Sequence, residues 1–392
     1  MLKTSNRCKA ARKHRGEIFM IRRNNTVSVS LNPLSLPQCN SSRAKFRLLM
    51  TVRVKRRFVV GGCLAVALLL VGVKLFLGVG DEIIIPGYDQ LDLNEFPDPG
   101  IYEAEDFPSD GPSKVEKIIH QTWITTEIPA RYVDWMKSWS RNHPDWTYMF
   151  WTDESARTLI ADKYPQVLPA YDGYLENIRR ADAMRYAILH EYGGVYADLD
   201  MESLQPLDPI IRKYSCVLPQ EPYEHPIIDS NFEHLVINAL MICSKGHPLM
   251  KKFLDNIPKF AHMWHVLDST GPHYITLLYR QYLIDNNIEA GKSNGVYLAP
   301  AEYFFPTIDP VKFPYMRDRC YKQFAEMSHL QKTACVSLKR RGLERKPYPF
   351  SFTVHHWIHT YFVTRYSVSQ PSDIHSFIPS VVIYKSKTED NG

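Results

Sequence analysis

Residues 176–200 read ENIRRADAMRYAILHEYGGVYADLD, and no other stretch constrains the fold as tightly. Ile178, Ala181, Met184, Ile188 and Tyr192 recur at helical spacing, while Asp182 and Arg185 share a second stripe three residues apart. Gly193-Gly194 ends that helix and turns the chain tightly. From the strand that follows, Val195, Ala197 and Leu199 point one way and Tyr196, Asp198 and Asp200 the other. Upstream, KIIHQTWI (117–124) has the apolar, β-capable composition of a first core strand. A turn at Asn142–Asp145 then leads into the strand TYMFW, and a helical pattern runs from Asp153 until just before Pro165. Strand, helix, strand, helix in this order predicts an α/β domain with a largely parallel central sheet.

Asp198 and Asp200 present the chemical problem. On one face of an extended strand their side chains stand about 7 Å apart. Two like charges at the end of a buried strand repel and are costly to desolvate. A divalent cation removes that cost. Carboxylate oxygens select Mn²⁺ or Mg²⁺, and such ions take one or two protein carboxylates, with water and phosphate oxygens completing the shell. The arrangement therefore points to a metal held against a diphosphate. An isolated D-x-D is more often a solvated strand end, but the helix bearing Asp182 and Arg185, the glycine pair and the buried strand favour the site.

Charge distribution narrows the partners. Residues 1–57 hold 15 Lys and Arg against one acid, a net of +14, so with +5 for the whole chain the remainder carries −9. The basicity belongs to a tail and excludes a nucleic-acid-binding face. Residues 58–80, FVVGGCLAVALLLVGVKLFLGVG, are 23 residues with a single charge, Lys74. About 20 apolar residues span a bilayer as a helix. Seven Lys and Arg lie in 41–57 and none in 81–113, which places the N-terminus in the cytosol and the bulk of the chain beyond the membrane. The expected organisation is a basic cytosolic tail (1–57), a transmembrane signal anchor (58–80), an acidic Pro-containing stem (81–113), a catalytic domain (114–365) and a C-terminal tail (366–392). Met50 opens a short conventional tail, so part of residues 1–49 is expected to be an extension that is not always translated. Cys216, Cys243, Cys320 and Cys335 fall beyond the membrane, where three complete disulfide pairings are open.

The composite IRRADAMRYAILHEYGGVYADLD, together with KIIHQTW and the late V-H-x-W in TVHHWIHTY, resembles the D-x-D glycosyltransferases (family 32-like). These include fungal initiating mannosyltransferases and inositol-phosphoceramide mannosyltransferases. The chain is also similar to α1,4-galactosyltransferases and clostridial glucosylating toxins. The resemblance implies a GT-A fold and a retaining, metal-dependent hexosyltransferase using a UDP-hexose or GDP-mannose donor and a lipid or glycan acceptor. It implies that Asp198 contacts the donor and reaches the metal, that Asp200 binds Mn²⁺ directly, and that Asp182 and Arg185 hold the donor sugar, with Arg185 also near the phosphates. His120, Gln121, Thr122 and Trp123 would seat the nucleotide, and Asn238 would touch the sugar. His355 is the histidine that V-H-x-W assigns to the metal or diphosphate. His356, one residue on, points to the opposite side. Thr270-Gly271-Pro272 reads as a turn on the acceptor side. Thr360-Tyr361 stands where the family's pattern has Ser-Trp.

Membrane topology and class together imply a single-pass type II protein of the Golgi membrane with a lumenal catalytic domain. With no nucleophile evident, the resemblance implies front-face attack. Two other classes remain. In D-x-D phosphohydrolases the motif lies on the first strand and is followed by Thr or Val two residues later; here it lies deep in the domain and reads DLDMES. A catalytically silent sugar-nucleotide-binding or scaffolding protein would have no reason to keep Asp182, Arg185, Asp198 and Asp200 together.

Overall fold

The computed structural model describes Met20–Arg23, Thr26–Val29 and residues 82–230, 232–288, 295–359 and 370–384. The expected transmembrane span (58–80) and Thr360-Tyr361 lie outside the described residues. Among the described residues no helix is long and apolar enough to cross a membrane. Met20–Arg23 and Thr26–Val29 pair as an antiparallel hairpin, within a unit that ends at Asp81; everything below concerns the second unit, Glu82–Gly392.

Seven strands form the main sheet: β1 (Ile118–Thr122), β2 (Thr147–Trp151), β3 (Gly194–Ala197), β5 (Cys216–Pro219), β6 (Leu240–Cys243), β7 (Val296–Ala299) and β9 (Val382–Ile383), in the order β7-β5-β6-β3-β1-β2-β9. All neighbours are parallel except that β6 runs against both β5 and β3. The α/β expectation of a largely parallel sheet is met. Strand residues alternate between two cores. Ile119, Phe150, Val195, Val217 and Ile242 face one core with helix α1 (Ala130–Asn142). Trp151, Tyr196, Leu218 and Met241 face the other, which also takes in α2 (Asp153–Lys163), α3 (Asn177–Tyr192), α4 (Pro248–Phe260) and α5 (Pro272–Asp285). Strands covered on both faces need no polar side, which is why they read as near-continuous apolar runs.

Helix α3 departs from the simple two-stripe reading. Nine of its sixteen residues are buried, Arg179, Asp182 and Arg185 among them, so its charged side chains must find partners inside the protein. Ile178, Ala181 and Tyr192, expected on the apolar stripe, are only half-buried. Gly193 and Gly194 close it with φ of +69° and +99°. A Cβ on Gly193 would lie 2.5 Å from the Lys245 backbone nitrogen, and one on Gly194 2.5 Å from the Ile118 carbonyl oxygen, so neither position admits a side chain.

The domain is larger than the sequence suggests at both ends. The segment read as an acidic stem is packed. Ile83, Ile85 and Phe96 are buried with Ile227, Ile228 and residues of α6 (Phe313–Gln323) and α7 (His329–Arg341). Its acidity served as the linker signal, yet the basic end of α7 answers it: Lys339 pairs with Glu82 and donates to the Ile83 carbonyl, and Arg340 donates to that of Phe96. The expected tail also belongs to the fold, because β9 extends the main sheet beside β2 and Ser372–Asp373 pairs with Glu127–Ile128. Of the three disulfide pairings, the structure has Cys216–Cys243, joining β5 to β6, and Cys320–Cys335, joining α6 to α7.

Candidate active site

Because β1, β2, β3, β5 and β7 run in one direction, their carboxyl ends share one edge of the sheet, the usual position for ligands in open α/β sheets. Antiparallel β6 begins at that edge, which brings Asn238 there. Helix α3 runs back against β3, so its first turns, with Asp182, arrive at the same edge.

The strand does not continue through Asp200 as expected. β3 ends at Ala197, and the Met201 N–H bonds the Asp198 carbonyl at 3.0 Å, so D-x-D is a tight turn. That carbonyl also accepts from Gln121 Nε2 (3.1 Å), and Gln121 is held by the Tyr148 hydroxyl. The turn separates the two carboxylates. Asp198 remains under α3, while Asp200 passes to a two-stranded ribbon of β4 (Met201–Ser203) and β8 (Thr353–His355). Register sets His355 opposite Met201, and the His356 N–H closes the ribbon on the Asp200 carbonyl at 2.9 Å.

Arg185 is the hub of the first half. Its side chain is 2% exposed, with Nη2 3.2 Å from Asp182 Oδ1 and Nη1 3.2 Å from Asp198 Oδ1. Nη1 also donates to the Asn238 carbonyl (2.6 Å), and the guanidinium lies 4.6 Å from the centre of the Tyr196 ring. Burial works against its charge, but Asp198, Tyr196 and Asp182 together keep it protonated. Asp182 accepts from Asn238 Nδ2 (2.8 Å) and Thr270 Oγ1 (2.9 Å). Burial nevertheless pushes its carboxyl up to about 6, with Arg185 opposing. Asp198 takes a 2.7 Å bond from the Tyr196 hydroxyl, and burial raises it against the pull of Arg185.

Asp200 anchors the second half. His355 Nε2 lies 3.2 Å from its Oδ1, and the Ile358 N–H donates to its Oδ2 at 2.9 Å. Burial alone would raise this carboxyl; the His355 charge and hydrogen bond outweigh it and hold it at about 2. His355 is in turn raised, Asp200 prevailing over burial. The loop that delivers Ile358 carries left-handed backbone at Trp357 (φ +53°) and His359 (φ +49°), a conformation that must be held in place. Trp357 Nε1 donates to Thr307 (3.0 Å) and His359 Nε2 meets Asp309 at 2.8 Å. His356 points away, paired with Glu202 and stacked on Trp135 at 3.9 Å.

The HQTW segment departs from its expected part. His120 is fully enclosed in the core beneath α3, bonded to the Gly193 carbonyl (2.8 Å) and Trp151 Nε1 (3.2 Å), and desolvation lowers it to about 4. Gln121 is equally enclosed and supports the D-x-D turn. Strand alternation inside a doubly covered sheet leaves neither open to a nucleotide. Thr122 and Trp123, half-buried at the carboxyl end of β1, stay at the edge, with Trp123 against Tyr132. Thr270 and Tyr196 join the constellation without having been named for it. The alternation that put Tyr196 beside Asp198 was legible, whereas Thr270 gave only a turn signal.

The donors suit a hard divalent cation. Asp200 Oδ1 and His355 Nε2 are spaced like adjacent ligands of an octahedral ion, which stand about 3 Å apart. The other imidazole nitrogen, Nδ1, is buried without a hydrogen-bond partner, so this ring has a nitrogen to spare. Asp198 is committed to Arg185 and Tyr196. Among the described residues the one three-donor cluster of His, Cys, Asp and Glu is Cys216, Cys243 and His247, whose sulfurs are joined to each other.

Residues 129–217 match the family described as "Glycosyltransferase sugar-binding region containing DXD motif". That span holds Asp182, Arg185, Asp198 and Asp200, and excludes Asn238, Thr270 and His355. The chain is 39% identical over 184 residues to inositol phosphoceramide mannosyltransferase 3 of Schizosaccharomyces pombe, covering 46% of this chain and 48% of that protein. It is 33% identical over 197 residues to mannosyl phosphorylinositol ceramide synthase CSH1 of Saccharomyces cerevisiae, 49% of each. To the initiation-specific alpha-1,6-mannosyltransferase of Candida albicans it is 33% identical over 218 residues, 46% of this chain and 56% of that one. The chain thus spans about half the length of the curated relatives it matches. Likeness to solved structures is distant. The PaToxG glycosyltransferase aligns with a TM-score of 0.35 at 16% identity, over 58% of this chain and 86% of that one. The resemblance read from the motifs, to D-x-D glycosyltransferases and fungal mannosyltransferases, is shown.

Proposed function

We propose that the protein is a membrane-anchored, metal-dependent, retaining mannosyltransferase of the Golgi membrane, carrying mannose from GDP-mannose to an inositol-phosphate head group on a ceramide lipid. The observation that carries the reading is the convergence of Asp182, Arg185, Asp198, Asp200 and His355 on the carboxyl edge of the sheet from three separate segments. The mannosyl choice, left open against a UDP-hexose by the sequence, follows from the names of the relatives.

Asp200 and His355 would hold the cation, with the Asp198 carboxylate beside them. A Mn²⁺ or Mg²⁺ ion there supplies Lewis-acid stabilisation of the leaving diphosphate. Arg185 brings a fixed positive charge to the same edge, oriented before the donor arrives by Asp182, Asp198 and the Asn238 carbonyl. Asp182 and Asn238 would position sugar hydroxyls. As the bond from the anomeric carbon to the phosphate oxygen breaks, its electron pair leaves on the diphosphate. The acceptor hydroxyl attacks from the same face and its proton passes to the leaving phosphate oxygen. Both Asp182 oxygens accept hydrogen bonds and Asp198 is paired, so neither stands ready as a nucleophile, which supports front-face attack.

Donor turnover by the full chain, purified in detergent and assayed across GDP- and UDP-sugars with and without Mn²⁺, tests this. The expected result is metal-dependent release of GDP from GDP-mannose, abolished by Asp200→Ala. Turnover of a UDP-sugar alone would overturn the mannosyl assignment. No turnover and no nucleotide binding by folded protein would overturn the catalytic reading.

A further inference from the structure

Little chain lies between the apolar run and the folded domain. The apolar run ends at residue 80, and Ile83 and Ile85, each 3% exposed, are already in the core. From residue 80 to Ile83 the extended chain spans at most about 11 Å. On the membrane-anchored reading, on which this inference rests, some face of the domain meets lipid. Ile83 and Ile85 pack with Ile227 and Ile228, on the segment leaving the carboxyl end of β5. Ile83 and Ile85 therefore lie toward the edge that carries the candidate site.

That edge has an unusual apolar feature. Leu175 is 93% exposed and Trp264 94%, while no other exposed large apolar residue described exceeds 69%. The two sit on neighbouring loops bound together by one buried arginine. Arg179 pairs with Glu176 (2.9 Å) and donates to the carbonyls of Met263 (2.8 Å) and Trp264 (2.7 Å). Leu175 immediately precedes the amino end of α3, the end at the carboxyl edge. Trp264 leads through a short helix (Val266–Ser269) to Thr270, which bonds Asp182. The backbone beneath each side chain is fixed and the side chain itself is left in solvent.

We propose that Leu175 and Trp264 form a wedge that seats the active-site rim in the bilayer interface, the bound partner being the lipid surface that carries the acceptor. Tryptophan favours the headgroup level, where its ring is apolar and its N–H remains wet. A stable protein partner needs about 800 Å² on each side. Two side chains are far short of that, whereas insertion into an interface needs only a rigid apolar tip. Seating them brings Asp182 and the D-x-D turn to the depth of a lipid head group.

The chain's seven tryptophans give a direct readout, because none lies in residues 58–80. Trp139, Trp146, Trp151 and Trp357 are buried, and Trp123 and Trp135 are half-buried. The full chain would be reconstituted in phosphatidylcholine–phosphatidylinositol vesicles with and without lipids brominated near the top of the acyl chain. Wild-type emission is expected to be quenched, Trp264→Phe to lose most of that quench, and Leu175→Ser to weaken it. Absent quenching in wild type, or quenching undiminished in Trp264→Phe, overturns the proposal and leaves a protein partner as the occupant. Donor turnover in the same vesicles is expected to be unchanged by Trp264→Phe, so failure of the wedge and failure of the catalytic reading are told apart.

Discussion

Replacing Arg185 with methionine tests the charge arrangement at its centre. The volume is roughly kept, so the loss is electrostatic. The guanidinium's bonds to Asp182, Asp198 and the Asn238 carbonyl go, and the 3% exposed Asp182 stays buried without its cation. Removing one partner of a buried ion pair costs about 3–5 kcal/mol. Unfolding entropy of about 2.1 cal/mol/K per residue, over a domain of about 300 residues, gives about 0.6 kcal/mol/K. Arg185→Met should therefore lower Tm by about 5–8 °C and reduce donor turnover by at least about 100-fold. The double variant Arg185→Met/Asp182→Asn separates the terms. Neutralising the orphaned carboxylate should recover part of the lost Tm and none of the activity. Calorimetry of the detergent-purified chain in EDTA, alongside GDP release, measures both. A double variant less stable than the single one, or an Arg185→Met protein with wild-type Tm, would refute the reasoning.

Asp182 should set an acid limb on donor turnover near pH 6, since burial lifts its carboxyl there and protonation frees its grip on Arg185. Thr270→Val removes a hydrogen bond to the charged form and should move that limb to higher pH; an unmoved limb would separate Asp182 from the reaction. In EDTA, the Asp200–His355 pair gives stability a defined window. Asp200 is depressed from 3.8 to about 2, so its contribution is full above about pH 4 and lost as pH falls through 2. His355 is raised from 6.5, so its contribution is full below that value and lost as pH rises through its folded pKa. Tm of the metal-free chain should peak between about pH 4 and 6.5, and His355→Asn should remove the alkaline decline; an unchanged alkaline slope in that variant would show that the pair does not form.

The legible half of the site is the half whose geometry is local. From Asn177 to Ala197 the chain is one helix, one glycine turn and one strand, so spacing alone brings Asp182, Arg185, Tyr196 and Asp198 together. Beyond Ala197 the period-two reading fails because nothing in A-D-L-D announces a turn. What bends it is tertiary, with the Asp198 carbonyl taken by Gln121 from β1 as well as by Met201. His120 is buried away from its expected place for a related reason. Alternation along β1 was visible, but whether either side of that strand opens to solvent depends on the helices that cover the sheet, α3 among them. The acidic segment after residue 80 misled because a charge pattern reads as a solvated linker until the basic end of α7, about 250 residues later in the chain, is known to meet it.

The partition of the two aspartates has a chemical consequence. An extended strand would have offered two equivalent carboxylates to one ion. The turn instead commits Asp198 to an arginine fixed by the neighbouring helix and hands Asp200 to a ribbon where its carboxylate meets a residue 155 positions away, His355. On the proposed function, metal affinity and donor orientation would thereby rest on separate supports. Asp200 depends on the left-handed loop at Trp357 and His359, and hence on Thr307 and Asp309 behind it. Asp198 depends on α3 and Tyr196. Loosening the loop should cost metal binding while Arg185 keeps its place, and loosening α3 should do the reverse. A substitution in either support that weakened both functions equally would mean that the D-x-D turn transmits strain between them, through the carbonyl that Gln121 and Met201 share.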